Sequence, residues 1–137
     1  MARTLKVLAL TMGVACVAIG LLHMLLGNAA IPGAHAAGAT VDSLGRFFGA
    51  IFAGYGLAWL WAARRTPIPA RAVRWLSGVF LLGGLSRLPS LAVAGRPDTF
   101  QLVLAAIELA LPPVYFWLAD ADERAASKAV PHAVSRA

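Results

Sequence analysis

Four long apolar segments, separated by polar or proline- and glycine-containing stretches, make up most of this chain. Each segment is about 20 residues long, the length that an α-helix needs to cross the hydrocarbon core of a bilayer. We therefore predict an all-α fold, an integral membrane four-helix bundle that runs up, down, up and down. The predicted spans are residues 7–26, 44–63, 73–94 and 99–119, and residues 120–137 are predicted to form a mobile polar cytoplasmic tail.

Helix-breaking residues mark the connections between these segments. The first connection, residues 27–43, contains glycine, proline, asparagine and aspartate, which is typical of a loop. Pro67 and Pro69 follow the second segment and prevent its helix from continuing. Gly95 and Pro97 end the third segment in the same way.

The first apolar segment has a second interpretation, as a cleaved signal peptide. It follows a short basic start, and residues 34–36 form a small-x-small sequence of the kind that signal peptidase cleaves. The apolar core of a signal peptide is usually about 7–15 residues long, however, and segment 7–26 is longer. We therefore favour a retained membrane span.

The composition supports a membrane protein over a soluble one. Hydrophobic residues make up 60% of the chain and charged residues 13%, with a mean hydropathy of +0.75. Soluble domains carry about 25% charged residues, so an ordinary cytosolic globule is excluded. The net charge of +6 does not indicate nucleic acid as a partner, because most of the basic residues flank apolar segments.

The distribution of lysine and arginine predicts the orientation in the bilayer. Nine of the twelve basic residues fall in the two termini and the middle connection, and cytoplasmic loops carry such an excess. Both termini are therefore predicted to be cytoplasmic. The four tryptophans lie at the same ends of the helices, where indole rings favour the interface: Trp59, Trp61, Trp75 and Trp117.

Four ionisable residues lie where a membrane helix should be apolar. Taking the spans above and a rise of about 1.5 Å per residue, all four fall in the outer half of the bilayer. They are His23, Arg46, Arg87 and Glu108. Each shares a helix face with small or polar residues, so we predict one polar pocket there, with Asp42 and Gln101 above it.

These residues also admit a purely structural interpretation. Arg87 and Glu108 can form a buried ion pair that only sets helix register, and Arg46 can extend to the outer headgroups. A lone histidine such as His23 is more often hydrogen-bonded within the structure than a ligand or a base. With one histidine and one carboxylate at depth, and Cys16 as the single cysteine, we predict no metal, no cofactor and no disulfide.

Small residues recur at helical spacing in three of the segments, a pattern that is typical of membrane helices that approach each other closely. In the second segment Gly45, Gly49 and Ala53 share one face. The interpretation that we favour for these glycines is helix packing.

Several of these residues fall into a recognisable pattern. It consists of Gly20-Leu-Leu-His23, Pro32-Gly33, Asp42, Arg46-Phe47, Phe52-Ala-Gly54-Tyr55-Gly56, Phe80-Leu-Leu-Gly83-Gly84-Leu-Ser-Arg87, Glu108 and Pro112-Pro113. From residue 5 to 119 the chain resembles a family of small bacterial four-helix membrane proteins of unknown function, grouped with DoxX-like membrane proteins. The resemblance implies a multi-pass protein of the bacterial inner membrane. Some DoxX-like relatives are linked to quinone or thiol redox chemistry, but this chain has no paired cysteines for the latter.

Two functions from different classes remain open. In the first, the pocket binds a small amphiphile (a quinone, isoprenoid or lipid) through His23, Arg46, Arg87, Glu108, Gln101 and Asp42. An isomerase or oxidoreductase would be a special case, with His23 and Glu108 as the candidate catalytic residues that exchange protons, so the sequence leaves open whether the protein is an enzyme. In the second, the chain is a non-catalytic scaffold or accessory subunit that forms a homo-oligomer or binds a partner membrane protein through its glycine faces. A proton-coupled transporter is a third and weaker hypothesis, because no inverted repeat is evident.

Overall fold

The protein is all-helical over the part that its computed structural model describes, residues 2–34 and 36–129. Its four α-helices are α1 (Ala2–Leu26), α2 (Ala39–Arg64), α3 (Ala70–Val93) and α4 (Thr99–Ala129). A short 3₁₀ helix, Gly27–Ala30, follows α1. The predicted fold class is confirmed at this level.

The helix boundaries follow from local backbone chemistry. Gly27 and Gly95 adopt left-handed backbone angles after α1 and α3, with φ of +56° and +86°, a region that favours glycine. Pro69 immediately precedes α3. At the beginning of α4 a carboxylate oxygen of Asp98 accepts the backbone N–H of Phe100 at 2.8 Å, as an N-cap does.

Three of the four helices are long and apolar enough to cross a membrane, namely α1, α3 and α4. Helix α2 falls outside this group. It carries Arg46 near its beginning and four glycines between residues 45 and 56, which lower its average hydropathy. Three membrane-competent helices are therefore established, and the predicted second span stays a proposal.

The predicted tail begins as helix. Helix α4 continues without interruption past residue 119 to Ala129, where the sequence pattern placed the boundary at Asp120. Arg74 of α3 explains part of this extension, because its guanidinium donates hydrogen bonds to Asp120 at 3.0 and 2.5 Å and to Glu123 at 2.5 Å. Residues 130–137 lie outside the described residues, and the mobility of the tail stays a prediction.

The helices pack as two antiparallel hairpins, α1 with α2 and α3 with α4, and the contacts between the hairpins are much sparser. Glycines let α1 and α2 approach closely. A Cβ built on Gly20 would lie 2.5 Å from the backbone nitrogen of Ala53, and one on Gly56 would lie 2.6 Å from that of Val17. Such glycine-mediated packing of the first two segments was predicted from the sequence and is confirmed.

The two hairpins meet at the end where α1 begins and α4 ends. The buried core at this end consists of Leu5, Ala9, Trp59, Ala63, Val73, Tyr115, Leu118 and Ala119. Two tyrosine hydroxyls bond across the junction: Tyr55 of α2 donates to the Leu76 carbonyl at 2.6 Å, and Tyr115 of α4 to the Leu8 carbonyl at 2.9 Å. The hairpins are therefore tied at one end and separate towards the other.

Candidate functional site

A cavity of about 570 Å³ lies between the two hairpins. On α1 its lining extends from Leu8 to His23, and on α4 from Phe100 to Tyr115. Each stretch rises about 22 Å along its helix axis, so the cavity is elongated. It begins at the aromatic core and extends towards the connection between α1 and α2, where Ile31 and Pro32 form part of its rim.

An ion pair from the second hairpin forms one wall of this cavity. The Nε atom of Arg87 donates to Oε2 of Glu108 at 2.6 Å, and Nη2 donates to Oε1 at 2.9 Å. This two-pronged geometry is the strongest that an arginine and a carboxylate can form. The side chain of Glu108 is only 11% exposed, whereas that of Arg87 is 37% exposed. The pairing predicted from helical phase and depth is confirmed.

Gln101 extends the polar wall one step further. Nη1 of Arg87 donates to its side-chain oxygen at 3.0 Å, so one guanidinium bridges two side chains that stand about two turns apart on α4. The small residue opposite permits this arrangement, because a Cβ on Gly84 would lie 3.0 Å from that of Glu108. Helices α3 and α4 therefore approach each other closely beside the ion pair.

His23 lines the same cavity from the other hairpin. It stands on α1 near the end at which Gln101 stands on α4. Its imidazole forms no hydrogen bond with any side chain or backbone group in the described part of the chain. A histidine in this state has both ring nitrogens available to a guest molecule, one as a donor and one as an acceptor.

Arg46 and Asp42 occupy a different place from the one that the sequence pattern predicted. Neither lines the cavity. Arg46 donates to Asp42 at 2.7 Å and to the carbonyls of Met24 and Leu25 at 2.8 and 3.1 Å. Of the six polar residues predicted to line one pocket, four line this cavity: His23, Gln101, Arg87 and Glu108.

The Asp42–Arg46 pair closes the connection between α1 and α2. Arg46 satisfies carbonyls at the end of α1, where a helix leaves acceptors without partners. Asp42 accepts the backbone N–H of Asn28 at 2.8 Å. The hydrogen bonds from Arg46 and then from Asn28 hold the pKa of the Asp42 carboxyl below its ordinary value. These contacts give both residues a structural role at this position.

Helical phase in the sequence predicts an apolar inner part of the pocket, lined by Phe80, Leu57 and Met12. The cavity is apolar there, and Phe80 and Met12 line it. Leu57 instead faces outward and is 59% exposed. Sequence reasoning did not assign three further lining residues to the site: Phe52, Tyr115 and Cys16. Cys16 had a usable signal, because it stands two helical turns before His23 on the same face of α1.

The described residues offer little for a metal. Over residues 2–34 and 36–129 no three side chains of His, Cys, Asp or Glu come together as a ligand set. His35 and His132 lie outside the described residues. What the site presents is an ion pair, an amide and an imidazole along one half of an otherwise apolar cavity.

Comparison with known proteins places the chain in a family. Residues 4–119 match the family model of a domain of unknown function, DUF4345. The chain belongs to this family. The match covers nearly all of α1, all of α2 and α3 and most of α4, and it includes every residue of the cavity described above.

No match was found among curated proteins or among solved structures. The family carries no assigned function, so the chemistry of the site has to be inferred from the geometry of the site itself. The wider grouping with DoxX-like proteins, which the sequence resemblance implies, stays a prediction.

Proposed function

We propose that this protein is a multi-pass membrane protein that binds a small amphiphile in the cavity between its hairpins. The polar end of the guest would lie between His23 and the Arg87–Gln101 wall, and its apolar chain would extend towards Tyr115. The observation that carries this proposal is an elongated cavity that is apolar in the half next to Tyr115 and lined by a cluster of polar groups in the other half. Ligand sites are mostly apolar clefts of roughly 300–1,000 Å³ with a few convergent polar groups.

The proposal includes four membrane spans with both termini in the cytoplasm of a bacterial cell and the cavity in the outer half of the inner membrane. The exposed surface of α2 supports its inclusion, because Phe47, Phe48 and Ile51 are each more than half exposed there. Residues of this kind are stable facing lipid and costly facing water. The nine-to-three distribution of lysine and arginine supports the orientation.

The close packing of α1 on α2 supports retention of the first helix. Cleavage after Ala36 would remove His23 together with the surface against which Gly49 and Gly56 pack. Reporter fusions after Ala137 and within residues 33–40 should therefore report opposite sides of the membrane. A periplasmic C-terminus would contradict the topology, and so would a mature chain that begins at Ala37.

The ligand proposal is tested by thermal unfolding of the purified protein with quinones, isoprenoids and lipids. A guest that binds only the folded state raises the unfolding temperature. It should do so for the wild type and not for His23→Ala. Leu57→Ala serves as the matched control, because Leu57 faces outward and should leave the effect of the guest intact.

A second readout uses the single cysteine. Cys16 lines the cavity but is only 2% exposed, so its alkylation by a small maleimide requires the hairpins to open, and a bound guest should slow that reaction further. Mass spectrometry of molecules retained after mild detergent extraction would then identify the natural guest. If no lipophile is retained and none of those added slows the alkylation of Cys16, the proposal is contradicted.

One observation favours the alternative, a non-catalytic scaffold or accessory subunit. Arg87 and Glu108 satisfy each other within the chain, so the ion pair requires no guest. On that hypothesis the partner is another membrane protein or a second copy of this chain. Loss of a co-purifying partner on replacement of exposed glycines, with no effect of any lipophile, would support it.

A further inference from the structure

The charges at the polar end of the cavity cancel. Arg87 supplies one positive charge and Glu108 one negative charge, and they bind each other through two hydrogen bonds. An ordinary histidine is mostly neutral above about pH 7, so His23 adds no net charge there. Arg46 and Asp42, which the sequence placed in the same pocket, pair with each other outside it. A charged guest would find no counter-charge in this cavity that is not already paired.

The hydrogen-bonding groups left over at this end are mostly donors. A guanidinium has five N–H donors, of which Glu108 and Gln101 accept three. Gln101 uses its oxygen to accept from Arg87, and its NH₂ group has no partner within the described residues. Both oxygens of Glu108 accept from Arg87. The wall therefore presents surplus N–H groups from two side chains, while its carboxylate is engaged.

From this arrangement we infer that the guest is a neutral amphiphile whose head accepts hydrogen bonds through a carbonyl oxygen. This inference rests on the proposed function and narrows its ligand class. A carbonyl oxygen has two lone pairs, so it accepts one N–H group from the Arg87–Gln101 wall and one from the His23 imidazole without disturbing the ion pair. An anionic head would compete with Glu108 for Arg87 and lose its own hydration, which is costly in a membrane. An ammonium head would find Glu108 occupied.

His23 completes the recognition from the opposite hairpin. Because it lies across the cavity from Gln101, a carbonyl head between them contacts both hairpins at the end where the tyrosine ties are absent. The guest then stabilises the association of the two hairpins as well as filling the cavity. This explains why the unfolding temperature is the appropriate readout.

The test uses four probes that share one chain length and differ only in the head: tridecane, 2-tridecanone, tridecanoate and tridecylammonium. The full-length protein in lipid nanodiscs is heated at pH 8 with each probe, and Cys16 alkylation is followed in parallel. We expect 2-tridecanone to raise the unfolding temperature and slow alkylation the most. Replacing Gln101 with leucine should weaken its apparent affinity by about tenfold, because a hydrogen bond near charged groups is lost.

A charge-altering variant sharpens the test. Glu108→Gln keeps the shape of the side chain but leaves Arg87 with an unpaired positive charge. This variant should gain stabilisation by tridecanoate, which leaves the wild type unaffected. If Glu108→Gln does not fold, Gln101→Glu provides the converse change: the added negative charge should abolish the effect of 2-tridecanone and leave tridecanoate inactive.

The outcomes separate the two levels of the proposal. If tridecanoate or tridecylammonium stabilises the wild type more than the ketone, the neutral carbonyl head is wrong and the cavity remains a ligand site. If tridecane is as effective as the ketone, the polar end takes no part in binding, and the inference is again overturned. If none of the four shifts the unfolding temperature or protects Cys16, the proposed function itself fails.

Discussion

Arg87 and Glu108 join α3 to α4 through two parallel hydrogen bonds, Nε to Oε2 at 2.6 Å and Nη2 to Oε1 at 2.9 Å. The carboxylate is nearly buried and the guanidinium is about one third exposed. A single charge left in this environment would be only partly hydrated and has no other partner of opposite sign among the residues that line the cavity. The energetics of the hairpin therefore depend on both residues together.

Loss of one partner should cost more than loss of both. We expect Arg87→Met and Glu108→Leu each to lower the free energy of unfolding by roughly 1–3 kcal/mol, an estimate reduced from that for fully buried pairs because Arg87 is partly exposed. The double variant should be more stable than Glu108→Leu alone. The measurement is thermal or detergent-induced unfolding followed by tryptophan fluorescence.

The exposed pair of Arg74 and Asp120 is the control for this comparison of single and double variants. It bridges the same two helices, but its side chains are 36% and 48% exposed. Changes at these positions should be small and close to additive, since exposed ion pairs contribute about 0–1 kcal/mol. Additive effects at Arg87 and Glu108 as well would argue against a coupled pair.

Two glycines two residues apart on α2 should respond in opposite ways to alanine. A Cβ at Gly56 would stand 2.6 and 2.7 Å from backbone atoms of Val17 and Gly13, so Gly56→Ala should force α1 and α2 apart. We expect a loss of roughly 1–3 kcal/mol, as for other overpacked interiors. At Gly54 no atom lies within 4 Å of the added Cβ, and alanine should leave stability unchanged or raise it by up to about 1 kcal/mol. Equal effects at both positions would contradict the packing of α1 on α2.

The connection between α1 and α2 should loosen in acid. The hydrogen bond from Arg46, followed by that from the Asn28 amide, lowers the pKa of Asp42 below its ordinary value of 3.8. A carboxylate whose pKa is lower in the folded loop than in the unfolded chain stabilises the loop fully at pH values above the unfolded-state pKa. This contribution is lost as the pH falls through the folded-state pKa, because the carboxyl is then protonated in both states. Hydrogen exchange at the Asn28 amide, corrected for its intrinsic pH dependence, should therefore stay slow at pH 4–7 and accelerate below that range. In Asp42→Asn the corrected rate should be faster and independent of pH; protection unchanged by this substitution would contradict the role of Asp42.

Removing either tyrosine hydroxyl should weaken the junction of the hairpins. Tyr55→Phe and Tyr115→Phe each delete one hydrogen bond between helices, to the carbonyls of Leu76 and Leu8 respectively. We expect each to lower stability by about 0.5–1.5 kcal/mol. The two effects need not add, because both rings pack on Trp59. Neither variant should alter the preference for 2-tridecanone over tridecanoate, since the proposed site for the head of the guest lies away from these hydroxyls. A switch in preference from ketone to anion in Tyr115→Phe would mean that the head binds at the core end.

Local chemistry along the chain was enough to predict the helices. Apolar segments of membrane length, proline at 67 and 69 and glycine at 27 and 95 each act through the backbone of their own neighbourhood, so no tertiary information was needed. The Arg87–Glu108 pair was predictable for a related reason. An unpaired charge in hydrocarbon costs at least about 2.5 kcal/mol, which leaves few arrangements for two opposite charges at similar depth on neighbouring helices.

Only the tertiary structure decided how the other polar residues divide between roles. Arg46 and Arg87 both stand on small-residue faces in the outer half of their predicted spans, yet Arg46 bonds carbonyls at the end of α1 and Arg87 faces the cavity. The difference comes from the packing of α1 on α2, which brings the carbonyls of Met24 and Leu25 within reach of Arg46. The part of α4 beyond residue 119 is likewise bonded at Asp120 and Glu123 by Arg74, which lies on another helix. Contacts between distant segments determine both outcomes, and the periodicity within one segment cannot predict such contacts.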